Sequence, residues 1–362
     1  MKKLQLILIA ILCGFILLLS GFLVFSVGRN HIIIDRNATG NFKLAQELEV
    51  DFSGIESIYV DYGKNSQDVY FYEGTGDKII IIEYFNFDYE DKHLSTLETK
   101  GNKMVLKGQR WNSGFSFFMG PSNSGYVEIY LPAGYLSDLG IVTISGDIRA
   151  QCDFIVENGF SATSTSGDIS LQNVSAKRME ASAVSGWIFI DHVAGDIAAT
   201  TTSGDISLGK VDGYLDASST SGDIFIESGK GDRNVSAVSG DIKIGAIEGR
   251  FDAVTTSGTI RIEGNSGNGK ASSVSGDIVI SLKELTGNLD AGTVSGEVLL
   301  MLPGDKGFSL NFSSTSGECN TFFDDQLSFN KRRTTAKGDY QGGGDISITV
   351  STTSGSLRIS EN

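Results

Sequence analysis

The string STSGDI occupies Ser164–Ile169 and returns unchanged at Ser219–Ile224. Near-copies surround it: TTSGDI from Thr201, AVSGDI from Ala237, TTSGTI from Thr255 and SVSGDI from Ser273. A catalytic motif needs one copy, so a string written repeatedly marks a recurring piece of architecture. The serines of successive Ser-Gly pairs stand at 145, 166, 185, 203, 221, 239, 257, 275, 295, 316 and 354. Their steps are 21, 19, then 18 five times, then 20, 21 and 38. A short fixed period of this kind is the signature of a solenoid. The last step is two periods long, so a rung there lacks the motif or carries an insertion.

Each rung reads with the period of a strand. Ile206 and Leu208, Ile224 and Ile226, Ile242 and Ile244, and Ile278 and Ile280 alternate with variable residues after the Ser-Gly pair. Before the pair the alternation continues: Leu215, Ala217 and Ser219 match Phe251, Ala253 and Thr255, and Leu289, Ala291 and Thr293. Large residues face inward at one place in the rung and small ones near the Ser-Gly turn, so the cross-section is pinched there. The predicted fold is all-β, a single-stranded parallel β-helix (β-solenoid) of about 18-residue rungs.

The repeated string is then a corner. Gly146, Gly167, Gly204, Gly222, Gly240 and Gly276 are expected to take positive φ there. Asp147, Asp168, Asp205, Asp223, Asp241 and Asp277 are expected to hold neighbouring backbone amides. Stacked Ser and Thr side chains can bond their equivalents on the next rung. The same Asp column could be read as a Ca²⁺ ladder. It is interrupted by Trp187, Thr259 and Ser356 and carries Glu297 and Glu318, so the turn reading is preferred, and no metal or cofactor is expected.

The chain has 362 residues, with 29 Lys+Arg against 44 Asp+Glu and a net charge of −15. That balance argues against nucleic acid, which needs a basic surface, and against adsorption to anionic headgroups. The first residues are different material. Leu4 to Gly28 is an uncharged apolar run of about 25 residues, enough to span a bilayer core. It is too long for a signal-peptide core and lacks a small-residue cleavage site, so an uncleaved transmembrane helix is expected. Lys2 and Lys3 should stay in the cytoplasm and place the bulk of the chain outside. The expected organisation is a cytoplasmic tail (1–3), a transmembrane helix (4–28), a stalk (29–46), an N-terminal β region that caps or starts the solenoid (47–133) and the repeat β-helix (134–362). Cys152 and Cys319 lie many rungs apart, beyond the reach of a disulfide, and are expected to be free thiols.

Two stretches interrupt the pattern. RWNSGFSFFMGPSNSG, residues 110–125, brings Trp111, Phe115, Phe117 and Phe118 together. These aromatics either fold onto the end of the solenoid or form a contact loop. Residues 320–344 carry the basic cluster Lys331, Arg332, Arg333 and Lys337, read as a solvated loop or as a contact for an anionic polymer or partner. His31, His93 and His192 stand isolated in the sequence, and no carboxylate pair is marked.

The stretch VEIYLPAGYLSDLGIVTISGDI (127–148), the repeated TTSGDI-type rungs and the closing GGGDISITVSTTSGSLRIS (342–360) resemble the bacterial "putative adhesin" family. The resemblance implies a β-helix of unknown function, often behind a membrane anchor and in some members linked to envelope-stress operons. It carries no catalytic residues. The expected function is a non-enzymatic interaction or adhesin-like scaffold at the cell envelope, with the membrane, a cell-wall polymer or another envelope protein as partners. The alternatives are a membrane component of an envelope-stress sensor and a polysaccharide-processing enzyme.

Overall fold

The computed structural model describes residues 42–64, 66–110 and 123–362. They form a parallel β-solenoid with rungs of about 19 residues. Successive rungs stack in register: Ile188 lies beside Ile206, Ile206 beside Ile224, Ile224 beside Ile242 and Ile242 beside Ile260. Every inward residue therefore meets its own counterpart one rung away. β-Branched Ile and Val suit this, because their stiff side chains pack well on a pleated surface. The core is one continuous column of these residues, and Ala217, Ala253 and Ala291 are fully buried where the cross-section narrows. The expected fold class is thus the observed one. The segment read as a transmembrane helix lies outside the described residues. Among those described, no helix is long and apolar enough to cross a membrane. The first strand, Lys43–Asp51, begins inside the stretch read as a stalk.

The rungs do not stack in chain order at either end. The strands Ser347–Thr352 and Leu357–Glu361 are the last in the chain, yet they lie between two earlier rungs. On one side they pair with residues 289–293 and 298–302; on the other with 309–313 and 319–321. The N-terminal end mirrors this. Ser57–Tyr62 and Asp68–Gly74 precede both in the chain but sit between the rung of 103–132 and the rung of 135–150. Each terminal segment of the solenoid is therefore paired on both sides. The long last step in the motif spacing is an insertion: residues 322–346 leave the solenoid so that the tail can return one layer back.

Both ends are closed by antiparallel strands, which blunt the open edges of a parallel stack. At the N-terminal end Lys78–Phe85 pairs with Gly125–Pro132, Lys43–Asp51 pairs with Lys78–Phe85, and Thr96–Lys100 pairs with Lys103–Lys107. Glu83 is fully buried there and accepts hydrogen bonds from Gln46 (2.7 Å), Gln67 (2.6 Å) and both the amide and hydroxyl of Ser95 (3.0 and 2.6 Å). A carboxylate without a cation tolerates burial when its oxygens are this fully engaged. At the other end Thr335–Tyr340 pairs with Phe308–Ser313, and Leu327–Phe329 adds beyond it. Residues 320–344, read as a solvated loop, are thus largely a cap. Phe323 and Tyr340 pack on Phe308 at 5.4 and 5.3 Å between ring centroids. The reason is the apolar end of the solenoid core, which needs covering.

Returning the tail into the stack buries Ile346, Ile348, Val350, Leu357 and Ile359. Each such side chain contributes roughly 1.5–3 kcal/mol. A chain ending at residue 345 leaves a strand-wide gap under the C-terminal cap. Its melting temperature is expected to fall well below that of the full chain, with amides of 308–321 losing protection from hydrogen exchange. An unchanged melting temperature and unchanged protection would contradict the threaded order.

Candidate functional site: the Ser-Gly corner and the face beside it

At most corners an inward hydroxyl joins two rungs. Ser219 accepts a hydrogen bond from the Gly222 amide (2.8 Å), and its hydroxyl donates to the carbonyl of Gly204 on the preceding rung (3.3 Å). Thr201 does the same with Gly204 (3.0 Å) and Gly186 (3.4 Å), and Ser164 with Gly167 (2.8 Å) and Gly146 (3.4 Å). These hydroxyls bond glycine backbone rather than their counterparts on the next rung, as the sequence reading had them. The reason is depth: Ser219 and Thr201 are buried inside the corner, where the glycine carbonyls point. A stacked pair of the expected kind occurs on the outer surface, Ser218 to Thr200 at 3.4 Å.

The corner glycines are required by contact, not by conformation. None of Gly146, Gly167, Gly204, Gly222, Gly240 or Gly276 has positive φ, which corrects the expectation above. A β-carbon at Gly222 would stand 1.9 Å from the carbonyl oxygen of Gly204, and one at Gly204 would stand 1.9 Å from that of Gly186. The chain lies directly on the chain below. Positive φ is found at a second corner, at Gly195 (134°), Gly231 (107°) and Gly249 (146°), where L-residues are strained.

The Asp column works as an amide clamp. Asp205 Oδ1 accepts the amide of Asp223, Asp223 that of Asp241, and Asp241 that of Thr259, at 2.8, 2.8 and 2.7 Å. Asp68, Asp147 and Asp168 hold Asp147, Asp168 and Trp187 in the same way. The bond runs from side chain to the next backbone, so Trp187 and Thr259 interrupt the column without losing their own clamp. Burial, and then the neighbouring Asp241 and Asp205 carboxylates, push the Asp223 carboxyl up from its usual range, against the lowering effect of the Asp241 amide. Among the described residues, no group of His, Cys, Asp and Glu is arranged to hold a metal ion.

Beside this corner lies a regular surface. The exposed residue just before each Ser-Gly pair forms the column Ile144, Thr165, Val184, Thr202, Thr220, Val238, Thr256, Val274, Val294, Thr353 and Thr315. Two residues earlier on the same strands runs Val142, Thr163, Ser182, Thr200, Ser218, Ser236, Val254, Ser272, Gly292, Ser351 and Ser313. Neither column carries a charge, in a chain where charged residues make up 20%. Thr353 and Ser351 reach their places only because the tail threads back. At the strand spacing of about 4.8 Å the face runs for about 48 Å.

Other residues singled out by sequence divide between packing and surface. Trp111, Phe115, Phe117 and Phe118 lie outside the described residues. Arg333 is a cap residue: its guanidinium lies 3.8 Å over the Phe329 ring, donates to the Cys319 carbonyl at 2.9 Å and pairs with Asp324. Lys331 and Arg332 are exposed in the turn before it. Cys152 and Cys319 are buried free thiols, each pushed up to about 12 by burial. His192 is not isolated: its Nε2 lies 3.5 Å from Asp212, which also binds Lys210 and is held below the usual carboxylate range, first by Lys210.

Arg233 was missed. It occupies the inward position of Leu215 and Phe251 and is 2% exposed. It donates to the carbonyls of Val211 (2.8 Å) and Gly213 (2.7 Å). Burial pushes its pKa down, partly opposed by Asp212 and Asp232. Gly229 stands where neighbouring rungs have Val211 and Ile247. A β-carbon there would lie 1.9 Å from the Val211 carbonyl oxygen and 2.8 Å from the guanidinium, so the backbone of the preceding rung and Arg233 together require the small residue. The signal available in the sequence was the paired exception, Gly229 with Arg233.

A family model described as Toastrack DUF4097 matches residues 55–253 and 251–360, nearly all of the solenoid. The chain belongs to the Toastrack DUF4097 family. No curated protein matches it. Among solved structures it is similar to a "putative adhesin" of Parabacteroides merdae (14% identity, 89% of this chain, 98% of the other, TM-score 0.35). It is also similar to a "putative lipid binding protein" of Parabacteroides distasonis (12%, 89% and 98%, TM-score 0.31). A third is a "putative cell adhesion protein" of Clostridium sporogenes (11%, 88% and 100%, TM-score 0.18). At these scores the likenesses carry no functional argument for this Toastrack chain.

The clamp makes a pH-dependent expectation for this chain. In Asp223→Asn the amide oxygen still accepts the Asp241 amide, so the change should stay within about 1 kcal/mol. A raised carboxyl pKa means that the folded state binds the proton more tightly than the unfolded state. Its ionised form therefore costs stability at neutral pH, and the cost is relieved as pH falls through the carboxyl range. Thermal melts should show the variant equal to or above the parent at pH 7 and losing ground in acid. A variant much less stable at pH 7, with the gap closing in acid, would contradict the raised carboxyl pKa and show that the clamp needs the ionised group.

Proposed function

We propose that this Toastrack chain is a membrane-anchored, extracytoplasmic β-solenoid serving as a non-enzymatic, adhesin-like interaction scaffold at the cell envelope. The observation that carries the reading is the charge-free double column from Ile144 and Val142 to Thr315 and Ser313. Short hydroxyl and methyl groups on a rigid stack make little demand on side-chain entropy when a partner docks. A flat, periodic, uncharged surface suits an extended polymer or a partner's sheet face better than a small molecule. The apolar run from Leu4 to Gly28, following Lys2 and Lys3, supports an anchor with residues 42–362 outside. The acidic balance supports keeping the solenoid off anionic headgroups.

Protease added to intact spheroplasts is expected to digest the solenoid, and full protection would refute the location. In sedimentation with isolated cell-envelope material, the full chain should co-sediment. Thr202→Lys with Thr220→Lys, both exposed, should weaken that by about tenfold or more while leaving the melting temperature in place. Retention equal to the parent would remove the face from the function.

A further inference from the structure

A depression opens on the same strands as the charge-free face, towards the N-terminal end and in the two columns that elsewhere carry charged or bulky side chains. Gly140 stands in the column of Glu180 and Asp216, and Gly159 in that of Arg178 and Tyr214. Where the side chains are missing, a groove of about 410 Å³ remains. Its floor is Gly140, Gly159 and Ser161. The ring of Tyr59 lies directly against Gly140: a β-carbon there would stand 2.7 Å from the ring. Lys103 Nζ sits 5.8 Å from the centroid of that ring. Arg178, Glu180 and Asp138 complete the walls.

Three features specify a ligand. First, Tyr59 offers a half-buried aromatic surface with a polar end, the kind of group that packs on the apolar face of a ring while its hydroxyl stays wet. Second, Lys103, Arg178, Asp138 and Glu180 form no ion pairs among the described residues, which leaves their donors and acceptors open to a ligand. Third, the two cations and two carboxylates balance. An anionic ligand would meet Asp138 and Glu180, a cationic one Lys103 and Arg178, and a polyanion would also meet the field of a chain of charge −15. Alternating donors and acceptors around an aromatic platform match vicinal hydroxyl groups. The groove crosses the strands containing Lys103, Tyr59, Gly140, Ser161 and Glu180, about 19 Å at the strand spacing, and it is open along its length.

We propose that this groove binds a neutral, hydroxyl-rich glycan chain, with Tyr59 stacking on a sugar ring and Arg178, Lys103, Asp138 and Glu180 holding its hydroxyls. The site requires neither the anchor nor the charge-free columns, so it stands or falls separately from the scaffold reading.

The test is titration of the full chain, in a detergent without a sugar headgroup, with the hexamers of β-1,4-glucose, β-1,4-N-acetylglucosamine and β-1,4-mannose. Hexagalacturonate serves as the anionic comparison. At least one neutral hexamer is expected to bind and to outcompete the anionic one. Arg178→Ala, exposed and unpaired, and Tyr59→Ala should each weaken it by about tenfold or more. Thr202→Lys with Thr220→Lys should leave it unchanged. Should Tyr59→Ala fail to fold, Lys103→Ala with Arg178→Ala supplies the same readout from surface residues. Absence of neutral-glycan binding, preference for hexagalacturonate, or binding indifferent to Arg178 and Lys103 would each overturn the assignment.

Discussion

One contact governs this molecule: the backbone of each Ser-Gly corner rests on the carbonyl of the glycine one rung below. That approach leaves no space for a β-carbon, so the position is glycine in every rung from Gly146 on, while Gln67 holds it in the rung of Ser57–Gly74 and offers its carbonyl to the Gly146 corner. It also fixes register. Once the corners stack, an inward Ser or Thr such as Ser219 finds two partners, a glycine amide in its own rung and a glycine carbonyl in the preceding one. The following Asp finds the amide of its counterpart. The repeated string is therefore one interlocking unit. Ala183 and Ala237 stand at two of the hydroxyl positions and remain buried. A missing hydroxyl is thus tolerated within the stack.

Stacking in register has consequences at the surface. Because each position meets its own counterpart, any outward position becomes a column, and its chemistry is repeated every rung. Two columns carry no charge from Ile144 and Val142 to Thr315 and Ser313, and the second ends against Asp61 in the rung beyond Val142. Two others carry charged side chains and are interrupted by Gly140 and Gly159, and the interruption makes the groove. The ends are handled by threading and by antiparallel caps, so the surface columns continue through rungs that are out of chain order.

The fold class, the rung length, the inward series and the unpaired state of Cys152 and Cys319 were legible because each depends on local period and spacing. The threaded order at both ends was not, since it depends on which edges pair and the motif spacing records only an insertion. Glycine was found correctly and explained wrongly: a sequence shows that a residue must be small, and cannot distinguish left-handed backbone from close approach. The charge-free face was present in the residue before every Ser-Gly pair, and it becomes a surface only when the rungs stack in register. The groove was invisible, because it joins Tyr59 and Lys103 with Gly140 and Arg178, residues far apart in the chain. Arg333 was read as surface charge because its partners, Phe329, Asp324 and the Cys319 carbonyl, meet only in the folded cap.

The close approach of backbones is tested most directly by adding a single methyl group. Gly222→Ala places a β-carbon where the Gly204 carbonyl lies, while Ser221→Ala alters the adjacent exposed residue of the same corner. Urea unfolding of the two variants beside the parent isolates the contact. Ser221→Ala should fall within about 0.5 kcal/mol of the parent. Gly222→Ala should lose about 1–3 kcal/mol or more, the cost of forcing an atom into a filled space. Equal stability of the two variants would show that the rungs do not rest on one another at this glycine.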